Sequence, residues 1–192
     1  TYTVMLSKLV DEIETPLSQP VSFEVVPLNN TVLPTDDRDA LARFQQQVDY
    51  LSGKVGSVQN SLSELSDELR YMKEAIKRTP TSQIELMKDW KALDREISEI
   101  QRKISWDRIA SRLDIDKPPT IGNRIGYLVY EQSNSTGAPT ETHKSTFAIA
   151  KEEFSPIYEQ SKNLVNNKFD AFRKKLKEFG APYTPGNVYF LD

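Results

Sequence analysis

Few residues in this chain have the types and spacings from which a reactive site is built. His143 is the single histidine among 192 residues. With Glu141 two positions earlier, it has the chemistry of a general base or a metal ligand. It stands where a helix is expected to begin, beside a polar loop, so a solvated surface role is the simpler reading. Glu152 and Glu153 are adjacent, and adjacent helical residues do not share a face, which argues against an acid–base pair. Trp90 and Trp106 are the residues for a sugar platform, but Trp90 also falls on the apolar seam described below, which favours packing. Tyr127, Tyr130 and Tyr158, with the loop 133–140, are the material for a peptide or glycan site. Arg173, Lys174, Lys175 and Lys177 form a basic run. Such a run suits an anionic surface, or it complements the negative end of a helix dipole, which is the default near a helix C-terminus. Asn29-Asn30-Thr31 and Asn134-Ser135-Thr136 match the glycosylation sequon, which matters only in a eukaryotic secretory pathway.

What is missing narrows the chemistry further. The chain has no cysteine, which excludes a thiol nucleophile, a cysteine-ligated zinc site and a disulfide framework. Zero cysteines is compatible with cytoplasm or periplasm and does not choose between them. No phosphate-cradling glycine loop, GxSxG elbow or HExxH motif occurs. No catalytic, cofactor-binding or metal-ligating residue is therefore assigned, and no cofactor is expected. Net charge is −3 and the pI about 5.4, so a basic stripe for nucleic acid is not expected. No apolar run approaches the roughly 20 residues that span a bilayer. A charged share of 28% with seven glycines suits long solvated helices better than a loop-rich catalytic fold.

The elements that would position these residues follow from periodicity. In residues 2–26, Tyr2, Val4 and Leu6 alternate with polar neighbours or Met5, and Val21, Phe23 and Val25 alternate with Ser22 and Glu24. This is the period of a half-buried strand. Asp11-Glu12 supplies a turn, and Pro16 and Pro20 limit pairing on the return. Two strands alone are marginal in water. Residues 1–28 therefore read as the terminal hairpin of an immunoglobulin-like β-domain that continues outside the chain. The hairpin is expected to pair with strands beyond the chain or to lean on the helices. Residues 29–35 act as a linker, with Thr35 or Asp36 as a helix N-cap.

From there to residue 192 the pattern is helical. Leu41, Phe44, Val48, Leu51, Val55, Val58, Leu62, Leu65, Leu69, Met72 and Ile76 step by three and four, the spacing of a coiled-coil seam. They predict a helix over about 36–79, roughly 64 Å long at 1.5 Å per residue. Thr79-Pro80-Thr81 ends it and starts a second helix over about 82–113, with Leu86, Trp90, Leu93, Ile97, Ile100 and Ile104 on its seam. So short a connection makes the two antiparallel. Pro118-Pro119 breaks the chain, and Thr120 caps a third helix over about 120–132. A last helix over about 140–179 carries Phe147, Ala150, Phe154, Ile157, Leu164, Val165, Phe169, Phe172, Leu176 and Phe179 inward. Pro156 should kink it, and Gly180 should stop it. The second and third helices together match the first and last in length. The expected fold is mainly α: an antiparallel three-column bundle with long coiled-coil-like helices, preceded by a β-hairpin from an incomplete sandwich. Gly53 and Gly56 cost the first helix stability. Counting back from the turn at Pro80 places Trp106 opposite them, so Trp106 is expected to pack over a groove they open.

The order of segments also carries a resemblance. YTVMLSK and VSFEVVPLN, the long helices, SNSTGAPTETHKSTFAIAKEEFSPIYEQ and the closing GAPYTPG resemble the C-terminal region of bacterial sortilin-like proteins. These are Asp-box β-propeller proteins, often labelled glycosyl hydrolases. The resemblance implies a secreted parent, periplasmic or extracellular, in which a propeller and an immunoglobulin-like domain precede a helical end. It carries no catalytic residue onto this chain, because the propeller and its Asp boxes are absent. The "hydrolase" label rests on the propeller, and a fold does not establish an activity. The expected function is a non-catalytic spacer, docking or dimerisation module. Its expected partner is the rest of the parent, or a second copy through the hairpin edge or the helices. The competing expectations are an accessory domain of a carbohydrate-active hydrolase and a peptide- or glycan-binding module.

Overall fold

The structure is a computed structural model and describes residues 1–26, 38–105, 112–113, 115 and 117–182. It divides into an N-terminal unit and a helical unit, 1–34 and 35–192. The linker, the expected cap at Thr35 or Asp36, Trp106 and the end of GAPYTPG lie outside the described residues.

The N-terminal unit is a hairpin broken into two ladders. The strands are β1 (Tyr2–Val4), β2 (Ser7–Val10), β3 (Ile13–Pro16) and β4 (Val21–Phe23). β1 pairs with β4, placing Tyr2 opposite Phe23 and Val4 opposite Val21. β2 pairs with β3, placing Ser7 opposite Pro16 and Val10 opposite Ile13. Between the ladders Met5 and Leu6 face the longer stretch Leu17–Pro20. The Leu6 carbonyl ties the break together by accepting from the Leu17 and Ser18 amides. Asp11 and Glu12 make the two-residue turn with φ of 50° and 64°, the positive values that match hairpin twist. Alternation then sorts the side chains. Tyr2, Val4, Val21 and Phe23 share one face, and Thr3 and Ser22 the other. The Tyr2 and Phe23 rings stack at 5.9 Å. Ser7 is half-buried, and every other described residue of the unit is exposed.

The helical unit is built from α1 (Arg38–Lys77), α2 (Gln83–Ile104), α3 (Ile121–Asn134), α4 (Glu141–Asn163), a π-helical segment (Leu164–Phe169) and α5 (Asp170–Glu178). The seam of α1 is buried from Val48 to Ile76, with Leu62, Met72 and Ile76 fully enclosed. α2 runs back along α1. Trp90 Nε1 donates to the Leu69 carbonyl, Gln101 to Ser66, and Gln59 to Ser105. α3 continues that column, and the last helix climbs parallel to α1. Phe147 meets Phe44, Tyr158 lies by Lys54, and Arg173 reaches Glu68. The bundle is therefore three columns running up, down and up, with the middle one divided.

The ends of the elements have local causes. At the first turn the Gln83 side chain donates to the Thr79 and Lys77 carbonyls, satisfying acceptors that the end of α1 leaves open. Pro80 lies in this turn and not in the first turn of α2, whose N-cap is Ser82. Thr120 and Asn123 make a reciprocal capping box on α3. Gly180, at φ 70°, closes α5. Its amide donates to the Lys177 carbonyl and the Ala181 amide to the Leu176 carbonyl, the Schellman arrangement that favours glycine.

One expectation is corrected. α2 stops at Ile104, where Ser105 turns extended, instead of running to Leu113. The start of α3 closes on its last carbonyl: a Cβ on Gly122 would lie 2.6 Å from the Ile104 oxygen. The last helix carries Pro156 within α4. Its departure from α geometry comes later, in the π segment.

Candidate functional site

Each residue that the sequence offered for chemistry can now be placed. His143 is the third residue of α4. Its Nδ1 faces the Thr140 amide at 3.4 Å, while the Thr140 hydroxyl accepts from the His143 amide. This is a capping box with histidine in the place usually taken by glutamate or glutamine. The ring also meets Tyr127 edge-on at 5.9 Å. His143 is thus half-buried and occupied in holding a helix end, more than the solvated role expected of it. Glu153 faces Arg124 at 3.4 Å, and Glu152 is exposed. The two glutamates have separate surroundings. Among the described residues no group of three or more His, Cys, Asp or Glu is arranged to hold a metal ion.

Among the described residues, the aromatic candidates are not gathered into one surface. Trp90 packs against the core with its Nε1 on a backbone carbonyl and Lys73 over its ring at 4.6 Å, as its seam position suggested. Tyr158 lies against Phe154, between Lys54 and Lys162. Tyr127 is engaged with His143, and Tyr130 is exposed on α3. Asn134 of the second sequon ends α3 and donates to the Tyr130 carbonyl at 2.8 Å.

The basic run has a role that neither sequence reading anticipated. Arg173 makes two short bonds to the Glu68 carboxylate, both 2.6–2.7 Å, and a third to Asp170. Lys175 bridges Glu85 and Asp89 at 2.6 Å each. Two turns earlier, Lys168 holds Glu96. These cations pin the last column to α1 and α2. The hydrogen bond to Glu68 chiefly raises the Arg173 pKa, and those to Asp89 and then Glu85 raise that of Lys175. The partners lie 72 to 105 residues away in sequence, which is why only the bundle register exposes them.

Gly56 borders a shallow groove between α1 and α3, lined across from it by Gly122, Ile125 and Gly126. A Cβ added at Gly53 or Gly56 meets nothing within 4 Å. The space beside Gly56 thus belongs to the α1–α3 contact, and Trp106 lies outside the described residues. Compared with family models, curated proteins and solved structures, the chain matches none.

No helix of the described residues is long and apolar enough to cross a membrane. Within the N-terminal unit, the apolar side chains of the outer ladder are exposed. Tyr2, Val4, Val21 and Phe23 keep between 46% and 61% of their area open.

Proposed function

We propose that this chain is a non-catalytic structural and interaction module: a stiff three-column bundle carrying an exposed β-ribbon for docking. The observation that supports it is the uncovered apolar face of the hairpin. Soluble monomers rarely leave contiguous apolar surface of this kind without a use for it. Several polar side chains of the bundle, by contrast, cap helices or tie them together. The parent is a secreted, sortilin-like propeller protein, periplasmic or extracellular, on the strength of the segment order and motifs in the sequence. In that parent the ribbon docks on neighbouring β-structure while the bundle acts as spacer.

Limited proteolysis tests the docking role. Lys8 sits in β2 on the exposed ribbon, and trypsin should cut there readily in this chain. In a longer product of the same gene, carrying sequence upstream of Thr1, the same bond should resist. Equal cleavage in both proteins would remove the basis for docking within the parent.

A further inference from the structure

Two helices of the bundle begin with the same device, built on different side chains. At the start of α3 the Thr120 hydroxyl accepts from the Asn123 amide, and the Asn123 side-chain oxygen accepts from the Thr120 amide at 3.1 Å. At the start of α4 the Thr140 hydroxyl accepts from the His143 amide at 3.2 Å, and the reciprocal acceptor is an imidazole nitrogen, His143 Nδ1. The carboxamide of Asn123 does not titrate, whereas an imidazole changes charge in the range between pH 5 and 8. To accept at Nδ1 the ring must be neutral with its proton on Nε2, because both nitrogens of an imidazolium donate. A cation at this position also meets the positive end of the α4 dipole. Protonation thus removes an acceptor and adds an unfavourable charge at one point. The groups around the ring do not replace the lost bond. From α3 it meets Tyr127 edge-on. Arg124, one turn before Tyr127, faces Glu153, and Glu131 follows one turn after. On the first turn of α4, Glu141 and Lys144 are bonded to each other at 2.7 Å. α1 meets α4 one turn further on, where Phe44, next to Arg43, touches Phe147.

We infer that the start of α4 is a pH-sensitive cap, closed at neutral pH and loosened in mild acid, while the start of α3 stays closed throughout. The inference is independent of the docking role of the hairpin. The segment under its control is the polar loop 135–140. Within that loop the Gly137 amide makes a local bond to the Ser135 hydroxyl, and Thr140 ties its end to α4. The unfolded chain has no cap to lose. The contribution of the cap is therefore complete above the ordinary imidazole range, about pH 6.5, and is lost as pH falls below it. α3 carries the same box with an acceptor that keeps its lone pairs at every pH in this window, so the molecule contains its own control.

Amide exchange on the intact chain tests this roughly one pH unit above and one below the imidazole range, each rate taken relative to unstructured chain at the same pH. In acid the Thr140 and His143 amides should lose roughly two- to fivefold in protection, the size of a single capping interaction. Those of Thr120 and Asn123 should keep theirs. His143→Gln supplies an acceptor that does not titrate, so it should retain the neutral protection and remove the acid step. His143→Ala should show the lowered protection at both pH values. The Leu62 amide, in the buried seam, reports that the fold is intact. An acid step that persists in His143→Gln overturns the proposal, because another group then causes it. Equal protection at both pH values in the unsubstituted chain overturns it as well. So does protection that rises in acid, which would mean that Glu131 or Glu141 holds the ring as a cation. A loss that reaches Leu62 at the same pH would be global unfolding and would also overturn a local cap.

Discussion

The glycines of the bundle separate into those that are needed and those that are tolerated. At Gly122 any side chain would place its first carbon 2.6 Å from the Ile104 carbonyl oxygen. That oxygen belongs to backbone and cannot rotate away. Gly122→Ala should therefore push α2 and α3 apart and lower stability by about 1–3 kcal/mol, as overpacking does. Gly56, only a few residues along the same groove, has open space for a Cβ. Gly56→Ala should raise stability by up to about 1 kcal/mol through helix propensity alone. Chemical denaturation of the two variants beside the parent chain checks both signs. A destabilised Gly56→Ala would show that the groove closes more tightly than the structure indicates. Gly53 and Gly56 were visible in the sequence as anomalies. The need for Gly122 was not, because it depends on the end of α2, and nothing in the α2 seam announces that it stops at Ile104.

At the scale of the element, the last column shows how much a spacing can reveal. Its buried positions run Ala150, Phe154, Ile157, Ser161, Leu164, and then Phe169, Phe172, Leu176. Every step is three or four except the one from Leu164 to Phe169, which is five. An α-helix would swing Phe169 by about 140° from Leu164, at 100° per residue. The π segment spans that step, and its wider turn returns Phe169 to the core, where it is fully buried. The extra residue was legible, but Val165 offered a competing four-step path to Phe169, and only the structure decides between them. If the π turn is a one-residue insertion, deleting Asn166 should restore regular spacing and be tolerated, with a melting temperature close to that of the parent chain. In an ordinary helix the same deletion would rotate the whole distal face away from the core. Loss of folding in the Asn166 deletion would mean that the π turn is required for more than phase.

The ion pairs beyond the π turn belong to the same element, and their sign can be worked out. Lys175 has its pKa raised above the ordinary 10.5 by Asp89 first and Glu85 second. A cation with a raised folded value contributes fully below the unfolded value and loses that contribution as pH climbs through the folded one. The attachment of α5 should therefore hold through neutral pH and weaken only above about pH 10.5, the ordinary lysine range. In an alkaline titration followed by amide exchange near Leu176, Lys175→Gln should abolish this pH-linked loosening. A transition of unchanged size in that variant would assign it to another group.

Across the whole molecule, the two units differ in how they are held. The bundle encloses a continuous core from Leu51 to Leu176, and its three columns were readable because buried positions repeat at steps of three and four along each described helix, the step at the π segment excepted. The hairpin was readable for the complementary reason. Its alternation called for a layer on its apolar face, and that face is open. The interhelical ion pairs and the histidine cap escaped sequence reasoning, since both depend on contacts that periodicity does not encode. The central claim is that the bundle stands on its own while the hairpin depends on a partner for its apolar face. Amide hydrogen exchange on the intact chain, diluted until it is monomeric, tests this most directly. The account predicts that amides around Leu62, Ile100, Leu128 and Phe154 exchange slowly and together. Those of the β1–β4 and β2–β3 ladders should exchange close to the rate of unstructured chain, because a lone two-stranded ribbon is marginal in water. Ladder amides protected to the same degree as the bundle core would contradict it.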